Sequence, residues 1–135
     1  MKLIDVSVPL DSRLPTYPGN TPYTLEAIKR MARGDSSNVS SLHLSAHAGT
    51  HVDAPRHMFD EMGGIETLSL EMLCGRTRVI ELTTRKGITA EDLAAFDLRE
   101  DVRVLLKTHN SRLWGSPEFQ ADFIGVTESA EWFIS

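Results

Sequence analysis

The stretch Ser45-Ala46-His47-Ala48-Gly49-Thr50-His51-Val52-Asp53-Ala54-Pro55-Arg56-His57 decides how this chain is read. It places three imidazoles and a carboxylate within eleven residues. Imidazole nitrogen and carboxylate oxygen are the usual ligands for zinc where cysteine is absent. From Ser41 to Asp53 the residues alternate. Leu42, Leu44, Ala46 and Ala48 fall on one side, and His43, Ser45, His47, Gly49, His51 and Asp53 on the other. Side chains on a strand repeat with period two, so a strand would place His47, His51 and Asp53 on one face. A helix would align His47 with His51 and turn Asp53 roughly 200° away. Gly49, Pro55 and the β-branched Thr50 and Val52 also argue against a helix, so the spacing predicts a strand ended by Pro55. Glycine at position 49 would let the backbone approach an ion or a substrate closely. His57 follows on a loop and can fold back over the site.

Working outward, Ile4, Val6, Val8 and Leu10 alternate with polar residues and predict a half-buried strand. Leu14 to Pro22 holds three prolines and a glycine, which predicts a loop with a tight turn at Pro18-Gly19-Asn20 and Tyr17 held on stiff backbone. Tyr23 to Met31 fits either a short helix or a strand. Downstream, the expected elements are a short helix at Leu68–Leu73, a strand at Thr77–Leu82 and a helix opened by a Thr89/Asp92 capping box. A buried strand at Val102–Leu106 is expected next, then a loop over Trp114–Gly125. Thr127 reads as the N-cap of a helix that runs into Trp132-Phe133-Ile134-Ser135. Three large apolar residues there need a covering surface from this chain or another. The sequence therefore reads as part of a longer protein or as half of an intimate dimer.

The 135 residues suit a single domain, with 41% hydrophobic and 24% charged residues. Fourteen basic against nineteen acidic side chains give a net charge of -5, without a basic run. That balance disfavours nucleic acid and anionic membrane surfaces as partners. One cysteine, Cys74, excludes an internal disulfide and multi-cysteine zinc modules, and is expected to be a small buried residue. The N-terminus lacks a signal-peptide pattern, which makes a cytoplasmic protein the expectation. Isolated histidines are usually solvated or structural, and His43 and His109 are read that way.

The pattern His47-x-Gly49-Thr50-His51-x-Asp53-x-Pro55-x-His57 resembles the signature of the metal-dependent cyclase/hydrolase family that includes bacterial kynurenine formamidase and isatin hydrolase. Ile4-Asp5-Val6-Ser7 with Leu10, the Pro-Thr-Tyr-Pro-Gly-Asn loop, and Leu105–Thr108 leading to Trp114-Gly115 also look like blocks of that family. The resemblance implies an α/β, swivelling β/β/α fold with a mixed, partly barrel-like sheet, of which residues 1–135 would be the N-terminal part. It implies that His47, His51 and Asp53 hold a divalent metal, zinc first and manganese as the alternative, with one or two ions per site. It implies that His57 is the proton donor and acceptor, and that Tyr17 contacts a small-molecule substrate where formamidases commonly carry Trp. It further implies a homodimer or larger homo-oligomer, and a His and a Glu beyond this chain's end that complete the metal site. The expected activity is hydrolysis of an amide, formamide or cyclic amide. The rival expectation is a catalytically inactive binding or dimerisation module of the same fold, and a third is a mononuclear zinc lyase.

Overall fold

Whether Tyr23–Met31 is a helix or a strand is settled by its partner. In the computed structural model, which describes residues 4–84, 86–99 and 103–130, Thr24–Lys29 forms strand β1 and Val39–His43 forms strand β2. They pair antiparallel, with Leu25 opposite Leu42, Glu26 opposite Ser41 and Thr24 opposite His43. The connection is a 3₁₀ turn at Met31–Arg33 closed by Gly34. The Asp35 carboxylate accepts from the Arg30 backbone N–H at 2.7 Å, and the Asn38 side-chain amide oxygen accepts from that of Met31 at 3.0 Å.

The chain forms two compact units. The first comprises Met1–Asp53 with Ser116–Phe119, and the second Ala54–Gly115 with Gln120–Ser135. The hairpin β1–β2 is the regular structure of the first. Residues 4–10 form no strand among the described residues. Alternation supplies a face but not a partner. The Val8 N–H, which a ladder would use, donates to the Thr50 hydroxyl at 3.0 Å. The 14–22 loop is as expected. Asn20 N–H donates to Tyr17 C=O at 3.0 Å across Pro18-Gly19, and Gly19 has φ of 90°. Proline second and glycine third in such a turn is the type II pattern. Just before it, Arg13 binds the Asp11 carboxylate through its backbone N–H and its guanidinium. These bonds hold that carboxyl below its ordinary range.

The second unit has helix α1 at Leu70–Leu73, strand β3 at Arg78–Glu81, helix α2 at Ala90–Ala94 and strand β4 at Val104–Lys107. β3 and β4 pair in parallel, with Val79 opposite Leu105 and Ile80 opposite Leu106. Period two divides the pair. Ile80 enters a core with Leu82, Ile88, Leu93, Ile124 and Ala130, against which Val104, Leu106, Phe96 and Leu98 pack. The other face is open: it carries Val79, Leu105 and the Lys107–Glu81 ion pair at 3.0 Å. The capping box is present, with Thr89 and Asp92 each accepting from the other's backbone N–H. Asn110 clamps the Ile124 backbone through both amide atoms, donating to its C=O and accepting from its N–H, each at 2.8 Å.

Several expectations need correction. Cys74 is exposed. It stands at the C-cap of α1, where the helix ends, and not inside the core. Trp114 and Gly115 lie in a 3₁₀ helix, His109–Gly115, and the expected loop holds only from Ser116 to Gly125. β4 is open on one side, with Leu105 43% exposed, and is not a fully buried strand. Helical structure does begin at Glu128, but the Thr127 hydroxyl donates to Ile88 C=O at 2.8 Å. Trp132 and Phe133 lie outside the described residues. The two small sheets make this a mixed α/β chain, and neither closes on itself among the described residues. No helix among those residues is long and apolar enough to cross a membrane.

Candidate metal centre

The segment that carries the candidate ligands is not a strand. β2 ends at His43, and residues 44–53 run through turns and bends. Ser45 begins the change of course. Its C=O accepts from Ala48 N–H and its hydroxyl from His47 N–H, both at 3.1 Å. Short hydroxyl side chains compete with a ladder in this way. Gly49 completes the bend with φ of 62°, a left-handed conformation that other residues rarely adopt. A Cβ there would lie 2.9 Å from Leu10 Cδ2 and 3.2 Å from Val8 Cγ2. The close approach that requires glycine is therefore made by the 8–10 segment.

The bend still brings His47, His51 and Asp53 together, with one donor atom from each within 4.8 Å of the others. His47 Nδ1 lies 2.9 Å from Asp53 Oδ1 and 3.3 Å from His51 Nε2. His51 Nε2 lies 3.5 Å from the same Asp53 Oδ1. The two imidazoles meet edge to face, with centroids 5.1 Å apart. Donor atoms bound tetrahedrally to one zinc ion stand about 3.3–3.6 Å apart, given bond lengths of about 2.0–2.2 Å. The observed separations fall within a few tenths of an ångström of that spacing. His47, His51 and Asp53 are 34%, 30% and 49% exposed, so an ion can reach them.

The second nitrogen of His51 is held by the backbone. Nδ1 lies 2.9 Å from Gly49 C=O. A carbonyl only accepts, so Nδ1 carries the proton, and in the neutral ring Nε2 presents a lone pair. That Nε2 lies 3.3 Å from His47 Nδ1 and 3.5 Å from Asp53 Oδ1, so either a proton on His47 Nδ1 or a cation can sit among the three atoms. A backbone carbonyl fixing the far nitrogen of a ligating histidine is the usual support for a metal ligand. The donor set therefore fits a divalent cation.

The remaining candidates sit as follows. Tyr17 is in the first unit, on the type II turn, 58% exposed, with its ring edge-on to Phe119 at 5.0 Å. His57 is in the second unit and ends a 3₁₀ turn, Pro55–His57, that Pro55 initiates. It is exposed. His43 ends β2, where its Nε2 is 3.2 Å from the Ser41 hydroxyl. His109 opens the 3₁₀ helix and is exposed. Sequence reading missed the Gly49 carbonyl as the support for His51. A backbone atom has no signature in residue type. It also missed Phe119, far along the chain in a segment that shows no motif.

A paired His/His/Asp donor set on a glycine bend, attached to a small mixed α/β scaffold, defines the class: a protein with a candidate divalent-cation centre. Residues 4–135 match the model of the Cyclase family, titled "Putative cyclase". This chain belongs to that family. It is 36% identical over 107 residues to the kynurenine formamidase of Bacillus anthracis, covering 79% of this chain and 51% of that protein. It is 37% identical over 105 residues to the kynurenine formamidase of Geobacillus thermodenitrificans, covering 78% and 50%. It is 39% identical over 114 residues to "Cyclase-like protein 2" of Oryza sativa subsp. japonica, covering 78% and 42%. The chain thus spans about half the length of the curated relatives it matches.

Proposed function

We propose that this chain carries the metal-binding portion of a hydrolase for small amides, formamides or cyclic amides. The observation that carries this reading is the convergence of His47 Nδ1, His51 Nε2 and one Asp53 oxygen to within 3.5 Å of one another, with His51 Nδ1 on Gly49 C=O. The names of the formamidase relatives support the reaction class. His47, His51 and Asp53 would hold the ion. Two imidazoles to one carboxylate suit zinc, with manganese as the alternative and one or two ions per site. A divalent cation held there would polarise a carbonyl and would lower the pKa of bound water to about 7.

The rest is done by the chain. Asp53 brings a negative charge and gathers both imidazoles. Gly49 C=O holds His51 in the tautomer that leaves Nε2 available. His57 takes a proton from the attacking water on an imidazole nitrogen and returns it to the leaving nitrogen as the C–N bond breaks. Imidazole suits both steps because it exchanges a proton near neutral pH. Tyr17 contacts the substrate. We further propose a homodimeric, cytoplasmic protein whose complete sheet is partly barrel-like.

His57→Ala tests this reading. Loss of a general acid–base lowers amide hydrolysis by about 10²–10⁴-fold. Metal content, measured on the same preparation, stays at the wild-type value. Full hydrolytic rate in His57→Ala would overturn the role given to His57.

A further inference from the structure

The loop carrying Tyr17 is tied to the ligand-bearing segment at both ends. At one end Leu14 joins Val8 and Leu10 around Gly49, where a Cβ would meet its Cδ1 at 3.5 Å. At the other, Thr21 C=O accepts from Ser45 N–H at 3.1 Å. Between these anchors the Pro18-Gly19 turn leaves the backbone of Tyr17 little freedom. Its ring is nevertheless 58% exposed. The twice-anchored loop thus fixes where the backbone presents this exposed ring.

Phe119 is its neighbour. The Ser116–Phe119 segment joins the first unit, while the chain on either side belongs to the second. The Ser116 hydroxyl accepts from Glu118 N–H at 3.2 Å and shapes the segment locally. The rings of Tyr17 and Phe119 meet with centroids 5.0 Å apart and planes at 72°. That is a preferred edge-to-face geometry of an aromatic pair, in which the two ring planes form the walls of a corner. Both side chains are uncharged, so the corner would select by shape and apolar surface.

We propose that Phe119 is a specificity-determining residue: with Tyr17 it forms an aromatic corner that seats the aryl or bulky apolar group of an amide presented to the His47/His51/Asp53 centre. This rests on the hydrolase reading above, and the test separates the two. The zinc-loaded chain is given formanilide and N-propylformamide, with Phe119→Leu and Phe119→Tyr beside the wild type. Phe119→Leu lowers kcat/KM for formanilide on the order of tenfold, mainly through KM, as the loss of one apolar wall does. N-propylformamide changes by no more than about twofold, and Phe119→Tyr restores the preference. An unchanged ratio of the two substrates in Phe119→Leu, with turnover intact, overturns the role of Phe119 and leaves the hydrolase reading standing. If the wild type hydrolyses neither compound, the hydrolase reading fails. Saturation-transfer NMR then decides the corner separately: formanilide binding that weakens in Phe119→Leu and returns in Phe119→Tyr supports it, and equal signals in all three overturn it. Thermal unfolding of each variant shows whether a loss comes from misfolding. In that case Phe119→Trp, which keeps an aromatic wall, replaces Phe119→Leu, and a shift of preference toward smaller aryl groups is expected.

Discussion

The two units are built on different physics. Every buried residue among those described, from Ile80 to Ala130, belongs to the second unit, and the first has none. Yet the first holds the three candidate ligands. The second is organised by apolar burial under a parallel strand pair, the first by turns, a glycine bend and side-chain hydrogen bonds to backbone. A core specifies where large atoms go, whereas a donor set requires lone pairs aimed at one point. Short polar side chains and tight turns do that without a core. An ion held by His47, His51 and Asp53 would then be the main cross-link of the first unit, since binding to folded ligands adds directly to stability.

The largest effect is expected in the second unit. Leu93 is 0% exposed, so Leu93→Ala should cost about 2–5 kcal/mol as the core loses its centre. Hydrogen exchange should show amides of the second unit losing protection while those of the hairpin β1–β2 keep theirs. Equal loss in both would erase the contrast between the units. Next comes Asp53→Ala, which removes the one oxygen that both imidazoles face. Zinc affinity by calorimetry should fall at least about 100-fold, or about 2.8 kcal/mol, with the second unit's exchange rates unchanged. A smaller effect is expected from Gly49→Ala. It forces a Cβ into a left-handed backbone and against Leu10, and about a tenfold loss of zinc affinity is expected. The smallest is Thr89→Ala, which opens the capping box of α2. It should cost about 1 kcal/mol in a urea titration without touching metal binding.

That His47, His51 and Asp53 come together was legible in the sequence, but the reason they meet was not. The alternation through His47, Gly49, His51 and Asp53 imitates a strand, and a strand would also have put them on one face. What overrides it is local. The Ser45 hydroxyl and carbonyl capture the next N–H groups, and Gly49 takes φ of 62°. Period two says nothing about whether a partner strand exists, and the failure of the predicted strand at 4–10 has the same cause. Where a signal names its own hydrogen bonds, it was read correctly: the Pro18-Gly19 turn and the Thr89/Asp92 box are both present. Contacts between distant segments, such as Tyr17 with Phe119 or Asn110 with Ile124, leave no trace in local pattern.

The most direct measurement is a zinc titration of the chain labelled with ¹⁵N-histidine, following the imidazole nitrogens by long-range NMR correlation. Before zinc, His51 should show a protonated Nδ1 and an unprotonated Nε2. On titration, His47 Nδ1 and His51 Nε2 should shift together and saturate, while His43 and His109 stay in place. Movement of His43 or His109 with the added zinc, or no shift at His51 Nε2 under saturating metal, would contradict the assignment of these three residues as the metal centre.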